Sequence, residues 1–164
     1  MQLLGNSYFS LWSVDGVTAG DIYIFNGQSN IAMGSGNPFP TPNSFIRTPY
    51  SSGLWIPANT YLGGIAYQFA NAISLSQNIP IGVLNAGVGG VGISYFQRND
   101  ANPTDPNTNY GQLLNLYNAA KIDSARAIIW YQGESDYTSS VATYKSDFMQ
   151  LYNDWSDDYK FSGV

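Results

Sequence analysis

Three short apolar runs, each followed at once by a polar segment that contains glycine, constrain the fold of this 164-residue chain most strongly. Short β-rich runs that end at turn residues are typical of buried strands. The runs are residues 21–25, 81–84 and 127–131, and the segments that follow them are Asn26-Gly27, Asn85-Ala86-Gly87 and Gln132-Gly133.

Amphipathic segments lie between these runs and after the last one. Apolar side chains recur at helical spacing in residues 63–77, 113–120 and 141–155, and Ser139 or Ser140 is a suitable N-cap for the last segment. Strands that alternate with helices predict a parallel sheet covered by helices through right-handed crossovers. We therefore predict an α/β domain of three layers, α/β/α, with a parallel, flavodoxin-like sheet. Residues 34–57 and 87–109 are predicted to be long loops.

The polar segments should converge, because ligands of open parallel sheets bind outside the carboxyl ends of the strands. In the first segment, Ser29 follows Gly27 and would lie at the mouth of the sheet. A serine there can act as a nucleophile whose own backbone N–H helps to hold an oxyanion, or it can simply cap the next helical turn. The glycines from Gly87 to Gly92 expose backbone N–H groups, which suit an oxyanion or a phosphate, or form a plain turn.

The third segment adds polar side chains to the predicted site. Gln132 offers amide donors at the strand tip, and Glu134 and Asp136 are carboxylates in the same turn. Paired carboxylates can indicate a glycosidase, but that reaction needs them on two sides of the bond, so capping and loop hydrogen bonds are the plainer interpretation. A metal site at Asp100, Asn102 and Asp105 lacks the spacing of a calcium loop, and we predict no metal and no cofactor.

The composition restricts the ligands. Charged residues make up only 10% of the chain, against an ordinary share of about 25%, and the net charge is −5. Such a chain is a poor partner for nucleic acid or an anionic membrane, whereas a neutral, hydroxyl-rich ligand suits it. No apolar run is long enough to span a membrane and no signal peptide is visible, so no compartment is assigned. The chain has no cysteine and no histidine, which excludes thiolate chemistry and the usual general base.

Taken together, the three segments resemble the SGNH hydrolase superfamily, and within it the branch of sialate O-acetylesterases and acetylxylan esterases. Gly27-Gln28-Ser29-Asn30 matches the first block of that family, and Gly89-Gly90 is similar to its second. Residues 130–136, Trp-Tyr-Gln-Gly-Glu-Ser-Asp, match the third block throughout. The resemblance extends from about residue 21 to residue 155.

The resemblance implies a role for each matching residue. Ser29 would be the nucleophile, and the oxyanion hole would comprise the N–H groups of Ser29 and of Gly90 or Gly89 with the side chain of Gln132. Four further residues would shape the site: Gln28, Asn30, Glu134 and Asp136.

The sequence also departs from the family pattern. The family takes its catalytic Asp and His from a late Asp-x-x-His block, and that block is missing here. We therefore expect residues 1–20 to be an N-terminal extension and residues 21–164 to be the N-terminal portion of one SGNH domain, with little turnover alone because an unassisted serine is a weak nucleophile. The substrate implied is an acetylated carbohydrate. A non-catalytic SGNH-like module that binds glycan or has a structural role is the alternative, and a flavodoxin-like or nucleotide-binding α/β domain is a weaker one, since no phosphate loop is present.

Overall fold

The computed structural model describes residues 20–32, 43–58, 62 and 64–162. Its strands are β1 (Asp21–Gly27), β2 (Ile46–Pro49), β3 (Trp55–Pro57), β4 (Ile81–Asn85) and β5 (Ala127–Tyr131). Its helices are α1 (Ser29–Ala32), α2 (Gly64–Gln77), α3 (Asn109–Ala119) and α4 (Val141–Asp158), and two 3₁₀ turns occupy Ile93–Phe96 and Glu134–Asp136. None of the described helices is both long and apolar enough to cross a membrane.

One sheet holds these strands in the order β3-β2-β4-β1-β5. The three strands predicted from the sequence are neighbours and parallel, with Tyr23 of β1 beside Val83 on one side and Ala127 on the other. From β1 the chain eventually reaches β4 on one side and then crosses to β5 on the other. The carboxyl end of β1 therefore lies at the point where the strand order reverses, which is where open α/β sheets bind ligands.

Helices cover both faces of the sheet, as the three-layer prediction requires. Side chains alternate along β1: Tyr23 and Phe25 pack on the α2 face, whereas Ile24 packs on the face covered by α3 and α4. Phe25 and Ile24 are both fully buried. The predicted α/β/α fold is confirmed.

The predicted loop at residues 34–57 is partly wrong, because residues 46–57 form a hairpin. β3 runs antiparallel to β2, so the sheet is mostly rather than wholly parallel. Gly53 allows the turn with a φ of 81°, and its N–H donates to the Tyr50 carbonyl over 2.7 Å. The prolines that indicated a loop, Pro49 and Pro57, stand at the strand ends, where a missing N–H costs little. Residues 34–42 of that loop and residues 1–19 of the predicted extension lie outside the described residues.

The predicted helices form, but their buried faces differ in part from the apolar pattern. On α2 the small Ala66 and Ala70 face the core, while Ile65 is half exposed. On α4 the Ser140 side chain caps the helix by accepting a hydrogen bond from the Thr143 N–H over 3.1 Å. Short side chains let a helix approach the sheet closely, so size as well as hydropathy decides which face is buried.

Candidate active site

Ser29 is the first residue of α1 and lies at the carboxyl end of β1. Gly27 makes the turn possible: its φ is 138°, and a Cβ there would lie 2.1 Å from the Tyr131 carbonyl oxygen. The Gln28 N–H donates to that same oxygen over 2.9 Å, which ties the turn to β5. The Ser29 side chain is half-buried, and its hydroxyl makes no hydrogen bond within the described residues. The hydroxyl is therefore available to a ligand.

The glycine-rich loop after β4 lies against this turn. The Val88 N–H donates to the Gly27 carbonyl over 2.9 Å, and a Cβ on Gly87 would come within 2.7 Å of the Ala32 nitrogen. A Cβ on Gly89 would be 3.6 Å from the Ser29 Cβ. Gly90 has a φ of 76° and open space where a side chain would be. The loop thus places Gly89 beside Ser29 and Gly90 farther from it, while their part in an oxyanion hole stays a prediction.

Gln132 lies where the segments that follow β1, β4 and β5 meet. These segments are called the first, second and third loops below. Its Nε2 is 3.3 Å from Gln28 Oε1, 3.2 Å from the Val91 carbonyl oxygen and 2.5 Å from Asp136 Oδ2. Its Oε1 accepts a hydrogen bond from the Tyr144 hydroxyl over 2.9 Å. An amide nitrogen has only two hydrogens, and three protein acceptors already surround this one. For Gln132 to donate to an oxyanion, one of these bonds has to be exchanged.

The four residues predicted to shape the site join the first and third loops. Gln28 is 5% exposed, and its Oε1 also accepts a hydrogen bond from the Ser135 N–H over 3.1 Å. Asn30 donates through Nδ2 to Glu134 Oε1 over 2.5 Å. Asp136 Oδ2 accepts a second bond, from the Ile93 N–H over 2.8 Å, which brings in the glycine-rich loop as well. These side chains are brought together as predicted, while their effect on catalysis stays a prediction.

Three asparagines outside the predicted site support the same loops. Asn26 is 1% exposed; its Oδ1 accepts from the Gly27 N–H over 2.8 Å and its Nδ2 donates to Asn109 Oδ1 over 3.3 Å. Asn109 donates in turn to the Ala86 carbonyl, and Asn85 donates to the Ile31 carbonyl. Asn26 and Asn85 each lie at a strand end, and this position in the sequence could have predicted that they lie near the site. Asn109 lies at the start of α3, and its position gave no such indication.

Tyr144 is a further residue of the site that the sequence did not reveal as one. Its hydroxyl donates toward both the Gln132 carbonyl, over 3.0 Å, and Gln132 Oε1, and it accepts from Trp130 Nε1 over 3.2 Å. Burial raises the pKa of Tyr144 above its ordinary value. By donating to Gln132 Oε1, the hydroxyl orients the Gln132 amide so that its Nε2 faces Val91 and Asp136.

Metal binding finds no support in the described part of the chain, where no cluster of three or more His, Cys, Asp or Glu side chains is suited to hold an ion. Asp105, a candidate from the sequence, is engaged by loop hydrogen bonds from the Asn107 N–H, over 3.0 Å, and from Asn99. These bonds lower the pKa of Asp105. Asp100 pairs with Arg98 over 2.8 Å. What the site offers chemically is a serine hydroxyl that has no hydrogen-bond partner among the described residues and lies next to the glycine-rich loop.

Comparisons with known proteins match this chain to carbohydrate acetylesterases. A family model described as carbohydrate esterase, sialic acid-specific acetylesterase, matches residues 46–164, a range that includes the second and third loops and begins after Ser29. A search of curated protein sequences gave no match. Among solved structures, a carbohydrate acetylesterase from Xanthomonas citri superposes with a TM-score of 0.65 at 19% identity. A protein from Arabidopsis thaliana superposes with a TM-score of 0.66 at 22% identity.

These superpositions cover most of the chain but not all of the other proteins. They include 85% and 84% of the present chain, yet 38% of the Xanthomonas protein and 68% of the Arabidopsis protein. At such identities the likeness establishes the fold. The chain spans well under half the length of the Xanthomonas enzyme that it resembles.

Proposed function

Since the chain belongs to the carbohydrate esterase family of sialic acid-specific acetylesterases, we propose that it carries the nucleophile of an enzyme that removes O-acetyl groups from carbohydrates. The observation that carries this proposal is the Ser29 hydroxyl at the carboxyl end of β1, which has no hydrogen-bond partner in the described part of the chain and has Gly89 beside it. A strand-end serine beside exposed amides is the arrangement that acyl transfer requires.

In the proposed reaction, Ser29 Oγ attacks the acetyl carbonyl and transfers its proton to a base. The negative charge that develops on the carbonyl oxygen is held by the N–H groups of Ser29 and of Gly89 or Gly90. Gln132 joins them if it releases Asp136 or the Val91 carbonyl. Each such donor contributes about 3–4 kcal/mol to the transition state. The sugar hydroxyl leaves with the proton, and water then hydrolyses the acetyl-serine.

The base is the part that these 164 residues do not supply, because they contain no histidine. In the family pattern it comes from the Asp-x-x-His block. The proposed mechanism therefore needs an imidazole from outside this sequence, whether from a further segment or from solution.

Chemical rescue tests the proposal directly. We expect the chain alone to hydrolyse p-nitrophenyl acetate slowly. When imidazole is supplied as the base, the rate should exceed that of imidazole alone, and this excess is the increment due to the chain. Ser29→Ala should remove that increment and leave only the rate of imidazole itself, whereas Ser139→Ala, at an exposed serine, should keep it. An increment that survives Ser29→Ala would contradict the proposed nucleophile. Fast turnover without imidazole would show that the base lies within this sequence.

A non-catalytic glycan-binding module is the second candidate. It is favoured by the Gln132 amide, which already donates to the Val91 carbonyl and to Asp136. It predicts glycan binding with no increment from imidazole. An extended chain that carries Asp-x-x-His separates the two candidates, because only the esterase proposal predicts that this chain is active.

A further inference from the structure

Three exposed tyrosines lie at the carboxyl edge of the sheet. The exposed fractions of these residues are 47% for Tyr95, 49% for Tyr131 and 85% for Tyr137. Tyr95 makes an edge contact with Phe96, and the Tyr131 and Tyr137 side chains have no hydrogen-bond or ring partner among the described residues. Large aromatic surface left uncovered is unfavourable in water, and it often marks a binding site.

Each of these tyrosines is joined through the backbone to a group of the candidate site. The Tyr131 carbonyl accepts the hydrogen bond of the Gln28 N–H, next to Ser29. Tyr137 directly follows Asp136, and Tyr95 is two residues after Ile93, whose N–H donates to Asp136. The tyrosines therefore belong to the same loops that surround the serine.

Two of these tyrosines are associated with different faces of the sheet. Alternate residues of a strand share a face, so Tyr131 lies on the face of Ile129, the α2 face, where α1 also packs through Ile31. Tyr95 belongs to the 3₁₀ turn whose Phe96 packs on the opposite face. The exposed tyrosines are therefore not confined to one layer of the domain.

We propose that Tyr95, Tyr131 and Tyr137, here called the tyrosine rim, bind an uncharged pyranose ring of the substrate by stacking, while its acetyl group reaches Ser29. The C–H face of a pyranose is apolar and its edge carries hydroxyls, so a tyrosine offers it both a flat apolar surface and a hydrogen-bonding hydroxyl. Glu134 and Asp136 place two carboxylates in the same loop as Tyr137. Their charge disfavours an anionic sugar, so the rim selects neutral glycans. The location rests on the proposed function, but sugar binding itself does not depend on hydrolysis.

Titration of the chain with xylohexaose, followed by NMR chemical shifts, tests the rim. Tyr137→Ala should weaken binding about five- to tenfold, because roughly 40–50 Å² of apolar contact is lost. Tyr137→Phe keeps the ring and should change affinity less than about twofold. Tyr152→Ala is the matched control, since Tyr152 is 53% exposed on α4, and it should bind like the original chain. Thermal melting of each variant separates lost contact from lost folding.

Four results would overturn the proposal: no binding of xylohexaose, equal affinity for the Tyr137→Ala variant, equal weakening by Tyr152→Ala, or tighter binding of the methyl glycoside of N-acetylneuraminic acid than of xylohexaose. The esterase proposal has its own test, so one proposal can be refuted while the other stands. It is tested with p-nitrophenyl acetate, which has no sugar to stack, so rescue by imidazole can be absent while rim binding is intact.

Discussion

The two faces of the sheet are built differently. On the α2 face, aliphatic side chains pack around one aromatic group, in which Phe69 makes edge contacts with Tyr23 and Phe25 at centroid distances of 5.0 and 5.4 Å. Its buried hydroxyls have partners: Tyr67 accepts from the Asn43 N–H over 2.9 Å, and Ser74 accepts from the Asn43 side chain. The buried hydroxyls named here on the α2 face therefore have their hydrogen bonds.

The face covered by α3 and α4 is richer in aromatic rings, and more of its buried polar atoms lack a hydrogen-bond partner among the described residues. Trp130, Phe148 and Trp155 form one contacting group, and Tyr159 packs on Tyr117 at 5.0 Å. Several buried polar atoms on this side have no hydrogen-bond partner among the described residues, including Trp155 Nε1, Tyr159 Oη and Asp154 Oδ2. A buried polar group left unpaired costs roughly 1–3 kcal/mol.

The difference follows from what each face supports. Phe96, at the end of the glycine-rich loop, packs on Trp130 at 5.1 Å, and Tyr144 links Trp130 to Gln132. The α3/α4 face therefore holds two of the three loops of the candidate site, whereas the α2 face holds the sheet. Departures from ideal packing are expected where a site is positioned.

The largest expected effect is on the aromatic group. Trp155 is 4% exposed, so Trp155→Ala should lower the free energy of unfolding by about 3–5 kcal/mol through lost contacts and the cavity left behind. Tyr152→Ala on the same helix should change it by less than about 0.5 kcal/mol. Urea denaturation measures both. A small loss for Trp155→Ala would mean that this face contributes little to stability and would break the comparison.

The buried carboxyl of Asp154 should give the α3/α4 face a distinctive pH dependence. Burial raises the pKa of Asp154, although Arg98 lies 2.9 Å from Oδ1 and opposes the rise. The folded chain then keeps this proton to a higher pH than the unfolded chain does. Stability falls as the pH rises from the ordinary aspartate value, about 4, through the raised one. Asp154→Asn should remove that fall.

Asp105 is the matched control for that prediction, because hydrogen bonds lower its pKa and so reverse the sign. Its contribution to stability is present above the ordinary aspartate pKa and is lost as the pH falls toward the lowered value. Asp105→Asn should therefore flatten the acid side of the curve. Urea midpoints measured from about pH 3 to 7 compare the two, and identical curves for both variants would refute the assignment.

The smallest expected effect compares two tyrosine hydroxyls. Tyr159→Phe removes an unpaired buried hydroxyl and should leave stability unchanged or slightly higher. Tyr67→Phe removes a partner of the Asn43 N–H and should cost about 1 kcal/mol. Chemical denaturation of the two variants is the measurement. The reverse order would show that the α2 face is the less satisfied one.

The sequence was informative where a feature is local. The strand at residues 127–131, the Ser140 cap and the Gly27 turn each follow from neighbouring residue types, and the structure confirms them. The three polar segments after the strands also predicted that Ser29, Gly89 and Gln132 lie at one edge of the sheet. Their proximity was predictable because the strands are parallel, while their chemical roles stay predictions.

Features that depend on distant residues were not predictable. The β2–β3 hairpin was hidden by its prolines, and the burial of Asp154 depends on Arg98, far away in the chain. The use of both Gln132 hydrogens follows from where Val91 and Asp136 happen to lie. The link from Tyr144 to Gln132 depends on how α4 packs, which no local pattern specifies.

The hydrogen bond from the Ser135 N–H to Gln28 Oε1 has a consequence for the order of events during synthesis. Its partners are 107 residues apart in the chain. A ribosome adds about 5–20 residues per second, so on the order of 5–20 s separate the emergence of Gln28 from that of Ser135. During that interval the serine is present but its site is not, so a nascent chain cannot bind a ligand there prematurely. The site becomes complete only after β5 has paired with β1.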